Sequence, residues 1–267
     1  MPLGFLALLA VIQGLTEFLP VSSSAHLILP SQLLGTPDQG PLIDVAVHVG
    51  SLFAVMLYFR TEVMRLFRGV PDLLRIRMTP DARLLGYLIA ATIPTILIGG
   101  LLYVTGAVAL LRSAEVIAWA TILFALLLYE ADRIGMRLRM MDDLTLKGAL
   151  VIGLAQVLAL IPGTSRAGIT MTAGRFLGYE RAEAARFSML LSIPTIAAFG
   201  LLAGIELIRS GENALQADAV TAMVLSFAAA YASIWVFMSW VNRIGFAPFV
   251  IYRLLLGAVL LWLVYGT

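Results

Sequence analysis

Cysteine is absent from the 267 residues, which excludes disulfides, thiolate metal sites and a cysteine nucleophile. Charge is scarce as well: 13% of the side chains are charged, and Lys147 is the sole lysine among 18 basic residues. With 61% hydrophobic side chains and a mean hydropathy of +0.97, the chain could not wet the surface of a soluble domain. No GxxxxGK[ST], GxGxxG, HExxH or GxSxG pattern occurs, so nucleotide hydrolysis, dinucleotide chemistry, zinc proteolysis and a hydrolase elbow have no support. The formal net charge of +2 fits arginine-bearing loops that orient a membrane protein, and it implies no nucleic acid. The apolar opening, Met1 to Leu19, lacks a basic n-region and carries Gln13 and Glu17, so it is read as retained structure rather than a signal peptide.

What is present is apolar sequence in membrane-length runs. Six of them, roughly Leu42–Phe59, Leu84–Val104, Ala114–Tyr129, Ala184–Ile205, Asp218–Val241 and Pro248–Gly266, are expected to cross the bilayer. Two further stretches, Leu3–Leu34 and Leu150–Leu177, are broken midway by proline and a polar cluster: Pro20-Val21-Ser22-Ser23-Ser24 and Pro162-Gly163-Thr164-Ser165-Arg166. Each half is too short to span. Non-helical backbone persists at membrane depth only inside protein or along a wet cavity, so both stretches read as re-entrant hairpins whose tips are candidate sites.

Arg60, Arg65, Arg68, Arg75, Arg77 and Arg83 load one connection, and Arg133, Arg137, Arg139 and Lys147 load another two spans later. Both should be cytoplasmic, with Arg181, Arg186 and Arg243 on the same side and only Arg112 and Arg209 opposite. The Arg60–Arg83 connection reads as a solvated loop near anionic headgroups rather than a site. The first hairpin then enters from outside and the second from the cytoplasm, each followed by three spans. The expected architecture is an all-α polytopic membrane protein: six transmembrane helices plus two re-entrant helical hairpins in an inverted-topology repeat. It forms a single domain, 1–267, with half one over about 1–130, a cytoplasmic connection over about 131–147 and half two over about 148–267. Placing Pro20 on Pro162 pairs Ser22 with Thr164, Ser23 with Ser165 and Ala25 with Ala167. An echo of Ile93-Pro94-Thr95-Ile96 in Ile193-Pro194-Thr195-Ile196 has a different offset, which leaves kinship and coincidence equally open.

Gln13 and Glu17 share a helix face at spacing four. A carboxylate this deep costs about 2.5–3.5 kcal/mol on insertion scales and needs a partner or a cavity. Glu17 is therefore a candidate for metal binding or proton transfer, against a purely structural hydrogen-bonding role. Ser22, Ser23 and Ser24 stand where a half-helix begins, as caps for orphan N–H groups or as part of a phosphate site. His26, three residues after Ser23, can share its face and supply a base to a nucleophile. Arg166 follows Thr164 and Ser165 at the second helix start, with Thr170 a turn further on; its planar fork suits phosphate oxygens, or a pairing with Glu17. His48 reads as a helix–helix hydrogen bond in preference to a ligand, Arg253 as an interfacial or structural pair, and Tyr252 and Trp262 as belt residues.

The string from Gln13 through Glu17, Pro20, Ser22 and Ser23 to His26, and the later Pro162-Gly163-Thr164-Ser165-Arg166-Ala167-Gly168, resemble the two signature motifs of the bacitracin-resistance family of undecaprenyl-diphosphate phosphatases. The resemblance extends to Pro248-Phe249-Val250-Ile251-Tyr252-Arg253 and to overall length and hydropathy. It implies hydrolysis of undecaprenyl diphosphate at the outer face of the bacterial inner membrane, recycling the lipid carrier for peptidoglycan synthesis and conferring bacitracin resistance. The family's motifs place catalytic roles on Glu17, Ser23, His26 and Arg166, and substrate contacts on Gln13, Ser22, Ser165, Arg166 and Thr170. A divalent cation, Mg²⁺ or Ca²⁺, is implied at Glu17, held together with substrate phosphates. The partners implied are the polyprenyl diphosphate and membrane lipids, with a homodimer left open. This chain departs from the family at Gln13, the non-acidic option, at Ala25, where Gly is common, and at Ala167, where Ser is common. Ser23 assisted by His26 is the expected nucleophile, with direct attack by water as its alternative. A polyprenyl-phosphate carrier or flippase is the rival function, since broken helices in inverted repeats are also a transporter architecture.

Overall fold

A computed structural model describes residues 3–23, 25–26, 41–107, 111, 113–136, 138–210 and 213–266. Its helices are α1 (Leu3–Thr16), α2 (Pro41–Tyr58), α3 (Arg60–Leu74), α4 (Pro80–Val104), α5 (Ala114–Ile134), α6 (Leu146–Val157), α7 (Arg166–Phe176), α8 (Arg181–Ser210), α9 (Asn213–Ile244) and α10 (Ala247–Tyr265). Among the described residues the only other pairing is an isolated parallel bridge between Arg139 and Tyr179. Helix starts follow from local chemistry. Thr79, Ser113, Thr145 and Ser165 each place a hydroxyl on the N–H three residues on, at 3.1–3.3 Å, opening α4, α5, α6 and α7.

Among the described residues, four helical stretches, Pro80–Val104, Ala114–Ile134, Ala217–Ile244 and Ala247–Tyr265, are long and apolar enough to cross a membrane. A fifth crossing is available if α2 and α3, bent by 90° where they meet, count as one span. The expected run Leu42–Phe59 falls on α2, and Ala184–Ile205 falls inside α8. Outward faces are as apolar as the interior: Leu97, Leu123 and Leu255 are 61–66% exposed, which a chain folded in water could not sustain.

The Arg60–Arg83 connection, expected as a loop, is helical over α3. Leu66 and Gly69 of α3 pack on the protein, Phe67 and Leu74 are 62% and 80% exposed, and Arg60 and Arg68 are exposed as well. High arginine density conceals this helix, because its apolar residues recur at helical spacing only along a narrow stripe.

The second hairpin breaks where expected. Helix α6 ends in a 3₁₀ turn, Leu158–Leu160, and the chain reverses through residues 161–165 into α7. In the first hairpin, α1 ends at Thr16, residues 17–21 turn, and helical backbone resumes at Ser23. Ser24, Arg112, Arg137 and the run 27–34 lie outside the described residues.

Helices approach closely through glycine. A Cβ on Gly50 of α2 would sit 2.2 Å from Met223 O of α9, and one on Gly153 of α6 would sit 2.3 Å from Ala91 O of α4. At one end of the bundle, Asp132 of α5 accepts from Arg181 Nε and Nη2 at 2.7 Å each and from the fully buried Arg175 Nε at 3.3 Å. Arg186 of α8 pairs with Glu62 of α3. These bonds tie α5, α7, α8 and α3 into one base beneath the hairpins.

Gly50→Ala should lower stability by about 1–3 kcal/mol, because α2 and α9 must separate. Gly100→Ala, where nothing lies within 4 Å of the added methyl, should be neutral or mildly stabilising. Thermal unfolding of both variants in detergent checks the contrast.

Candidate active site

Both hairpin tips turn through a serine in the left-handed region, Ser22 at φ 72° and Ser165 at φ 69°. Non-glycine residues adopt this conformation at a cost of about 1–3 kcal/mol each, and only where the surroundings over-determine it. Helix follows at once, from Ser23 in one tip and Arg166 in the other. The backbone therefore pairs Ser22 with Ser165 and Ser23 with Arg166, one residue away from the pairing that Pro20 and Pro162 suggest. The same offset places Gln13 on Gln156, two fully buried amides whose Oε1 atoms both lack a partner. Two turns that each pivot on a positive-φ serine thus deliver different functional groups, a hydroxyl from the first and a guanidinium from the second.

Glu17 joins them. It is 8% exposed, and its Oε2 accepts from Gln13 Nε2 at 2.8 Å and from Ser23 Oγ at 3.0 Å. Its Oε1 accepts from Arg166 Nη2 at 3.1 Å. Arg166 Nη1 also donates to Ser188 O of α8 at 3.2 Å, and its guanidinium carbon lies 5.9 Å from the centre of the Phe18 ring. Four of the expected residues, Gln13, Glu17, Ser23 and Arg166, form one hydrogen-bonded cluster between the tips.

The other expected residues take supporting places. Ser165 uses its hydroxyl to cap its own helix, accepting from Gly168 N at 3.1 Å. Thr170 is buried, shares a 2.6 Å hydrogen bond with Ser188 Oγ and donates to Arg166 O at 2.8 Å, so it fixes the turn that carries Arg166. His26 donates from Nδ1 to Ser22 O at 2.7 Å, which leaves Nε2 to accept from the Tyr252 hydroxyl at 2.5 Å. Its ring stacks on that of Tyr252, 5.6 Å between centres at 7°. Both ring nitrogens of His26 are thereby engaged away from Ser23, whose proton points to Glu17 instead.

Three residues of the site were not legible from the motifs. Ser188 acts through its carbonyl and hydroxyl, and no sequence pattern announces that. Tyr252, read as a belt residue, meets His26. His48, read as a helix–helix hydrogen bond, brings Nε2 to 3.6 Å from Glu17 Oε2, a correction that only the packing of α2 on α1 could supply.

Arg253 holds the tips together. It is fully buried on α10, where Nη2 donates to Gly163 O at 3.0 Å and Thr164 O at 2.9 Å, and Nη1 reaches Pro20 O at 3.5 Å. A Cβ on Gly168 would stand 2.9 Å from Nη1, so α7 leaves room for this side chain by carrying glycine there. The structural role expected of Arg253 is therefore met, with backbone carbonyls rather than a carboxylate as partners.

Two broken hairpins bring a hydroxyl, a carboxylate and a guanidinium together within the apolar helical bundle of a multi-pass membrane protein. Residues 6–259 match the family described as bacitracin resistance protein BacA, and the chain belongs to that family. It is 56% identical to the undecaprenyl-diphosphatase of Chromohalobacter salexigens over 254 residues, 95% of this chain and 96% of the relative. It is 52% identical to that of Alteromonas mediterranea over 269 aligned residues, and 51% identical to that of Jannaschia sp. over 267, covering all of each chain.

Replacing Arg253 by Met keeps the stem but withdraws the donors from Pro20, Gly163 and Thr164, which should cost about 3 kcal/mol of stability. Arg253→Lys should not restore it, since an ammonium cannot fork to carbonyls on both tips. Melting temperatures of the two variants, equal to each other and well below wild type, are the expected result.

Proposed function

We propose that this protein removes the terminal phosphate of undecaprenyl diphosphate, yielding undecaprenyl phosphate and inorganic phosphate. The observation that carries this reading is the Ser23 hydroxyl donated to Glu17, a carboxylate whose other oxygen receives Arg166. Nucleophile, proton acceptor and anion clamp are one hydrogen-bonded unit placed at two helix starts, where free N–H groups and the positive dipole end favour phosphate. A lipid carrier needs the clamp alone; a hydroxyl held against a buried carboxylate serves bond cleavage.

When the diphosphate arrives, its oxygens replace Glu17 at Arg166, and the released carboxylate accepts the Ser23 proton. Ser23 Oγ attacks the terminal phosphorus, the bond from that phosphorus to the bridging oxygen breaks, and undecaprenyl phosphate departs. Water then attacks the phosphoserine, returning the Ser23 hydroxyl and releasing inorganic phosphate. Phosphoryl transfer asks a protein mainly for positioning and charge stabilisation, which Arg166 and the two helix starts supply. Glu17 takes the base role that His26 was expected to fill, and His26 steadies the Ser23 helix against Tyr252. Thr170 and Ser188 position Arg166.

A divalent cation fits this donor set. The Glu17 carboxylate and the unpartnered, buried Oε1 of Gln13 are the hard oxygen donors that Mg²⁺ or Ca²⁺ prefers. Among the described residues no three His, Cys, Asp or Glu side chains cluster tightly enough to bind a metal on their own, so substrate phosphates would complete the shell. Such an ion supplies neutralisation of the diphosphate charge.

In the bilayer, we assign the full arrangement of six spans and two re-entrant hairpins, related as inverted halves. The matched left-handed serines support the repeat. Arginine-rich α3, with its exposed apolar stripe and its 90° turn from α2, is suited to lie along the cytoplasmic interface. The site then opens to the periplasmic side of the inner membrane.

Purified protein with Mg²⁺ in detergent should release phosphate from undecaprenyl diphosphate, and Arg166→Ala, Glu17→Gln and Ser23→Ala should each lose about 100-fold or more. No release by well-folded wild type would sink the assignment, and substantial activity in Ser23→Ala without trapped phosphoserine would replace covalent attack by water attack. For orientation, the cysteine-free chain permits direct labelling. An impermeant maleimide added to spheroplasts should modify Val104→Cys and spare Met78→Cys; the reverse pattern would invert the topology.

A further inference from the structure

His48 faces Glu17 in a way that hydrolysis as described leaves without a task. On α2, its Nδ1 donates to Asp44 O one turn back at 2.6 Å, so in the neutral ring the lone pair sits on Nε2. With the ring neutral, that lone pair lies 3.6 Å from Glu17 Oε2, beyond hydrogen-bond reach, and a cation between the two atoms would satisfy both. The His48 side chain is 34% exposed, so the ring borders open space rather than closed core. A backbone carbonyl fixing one ring nitrogen while the other is presented outward is the habitual support of a metal-bound histidine. Two atoms each about 2.1 Å from one ion stand about 3.0 Å apart at a right angle and about 3.4 Å apart at the tetrahedral angle, so a separation of 3.6 Å closes with a small side-chain movement. Gln13, whose Nε2 donates to the same carboxylate, carries a buried, unpartnered Oε1.

We propose that His48 Nε2 is a second protein ligand, beside Glu17, of the divalent cation used by this enzyme, and that it biases the site toward ions that accept nitrogen. The proposal rests on the phosphatase reading for the cation's use, while the binding geometry stands on the apoprotein's own residues. Imidazole suits Mn²⁺ and later transition ions better than Ca²⁺, which prefers an all-oxygen shell. This chain should therefore hold Mn²⁺ in preference to Ca²⁺, a selectivity that Glu17 and phosphate oxygens alone would not impose.

The test uses the full-length protein in detergent with Mn²⁺ as the only added metal, read by pulsed electron paramagnetic resonance for nitrogen bound directly to the ion. The chain has 2 histidines, so the source of any coupling is assignable. Wild type and His26→Gln should show the nitrogen coupling. His48→Gln and His48→Asn, checked for folding by melting temperature, should lose it, with Mn²⁺ affinity reduced about tenfold or more and Ca²⁺ affinity changed much less. Phosphate release from undecaprenyl diphosphate is measured on the same wild-type preparation. Release without nitrogen coupling, or without Mn²⁺ binding, would overturn the His48 assignment and leave the phosphatase standing. Coupling that is lost in His48→Gln but unaccompanied by release would support the ligand and overturn the phosphatase.

Discussion

A carboxylate buried between two hairpin tips is the constraint on which the rest of the structure depends. Glu17 cannot remain ionised in an apolar bundle unless donors surround it, and the donors come from separate parts of the chain: Gln13 from α1, Ser23 from the first tip and Arg166 from the second. Each of those elements must therefore be brought to within about 3 Å of one point, the reach of a hydrogen bond. The broken hairpins make this geometrically available, because a helix that stops inside the bundle can aim its end at a neighbour as an unbroken one cannot. The same arrangement is chemically poised. Oxygens that satisfy Arg166 in place of Glu17 convert a stored ion pair into a bound anion and a free base.

Holding two helix ends at one depth requires fasteners, and the chain uses guanidinium groups for both levels of the structure. Arg253 reaches carbonyls of both tips from α10, and Arg175 with Arg181 converges on Asp132 at the base of α5. Arginine suits both places because it stays charged when buried and spreads several donors over a plane. A lysine would serve one carbonyl at a time, which accords with a chain that carries a single lysine, Lys147, and places it away from these sites.

Much of this was legible in the sequence because breaks in apolar runs are conspicuous. Pro20 and Pro162, each with hydroxyl residues behind it, located both tips, and the spacing of Gln13 and Glu17 placed an amide and an acid on one face. The finer register was not legible. Prolines invite an alignment that the backbone sets one residue aside, since the turn pivots on Ser22 and Ser165, and a left-handed serine has no compositional mark. Helix α3 was hidden by its own arginines. The neighbour of His48 could not be named from its own helix, because Glu17 lies in the turn after α1, and Ser188 contributes through a carbonyl that every residue possesses. The spacing of Ser23 and His26 suggested a pair, yet contact with Tyr252 engages the ring elsewhere.

Helix α10 carries Tyr252 and Arg253 side by side, so a single rod touches His26 and both tips at once. Its opposite side, with Ile251 and Leu255 at 59% and 64% exposure, meets the surroundings. Any tilt of this rod transmits to His26, Pro20, Gly163 and Thr164 together, so the two tips travel as one body rather than sliding past each other. Bilayers of different thickness can thus be met by altering the rod's outer surface, while the spacing between serine and guanidinium is left undisturbed.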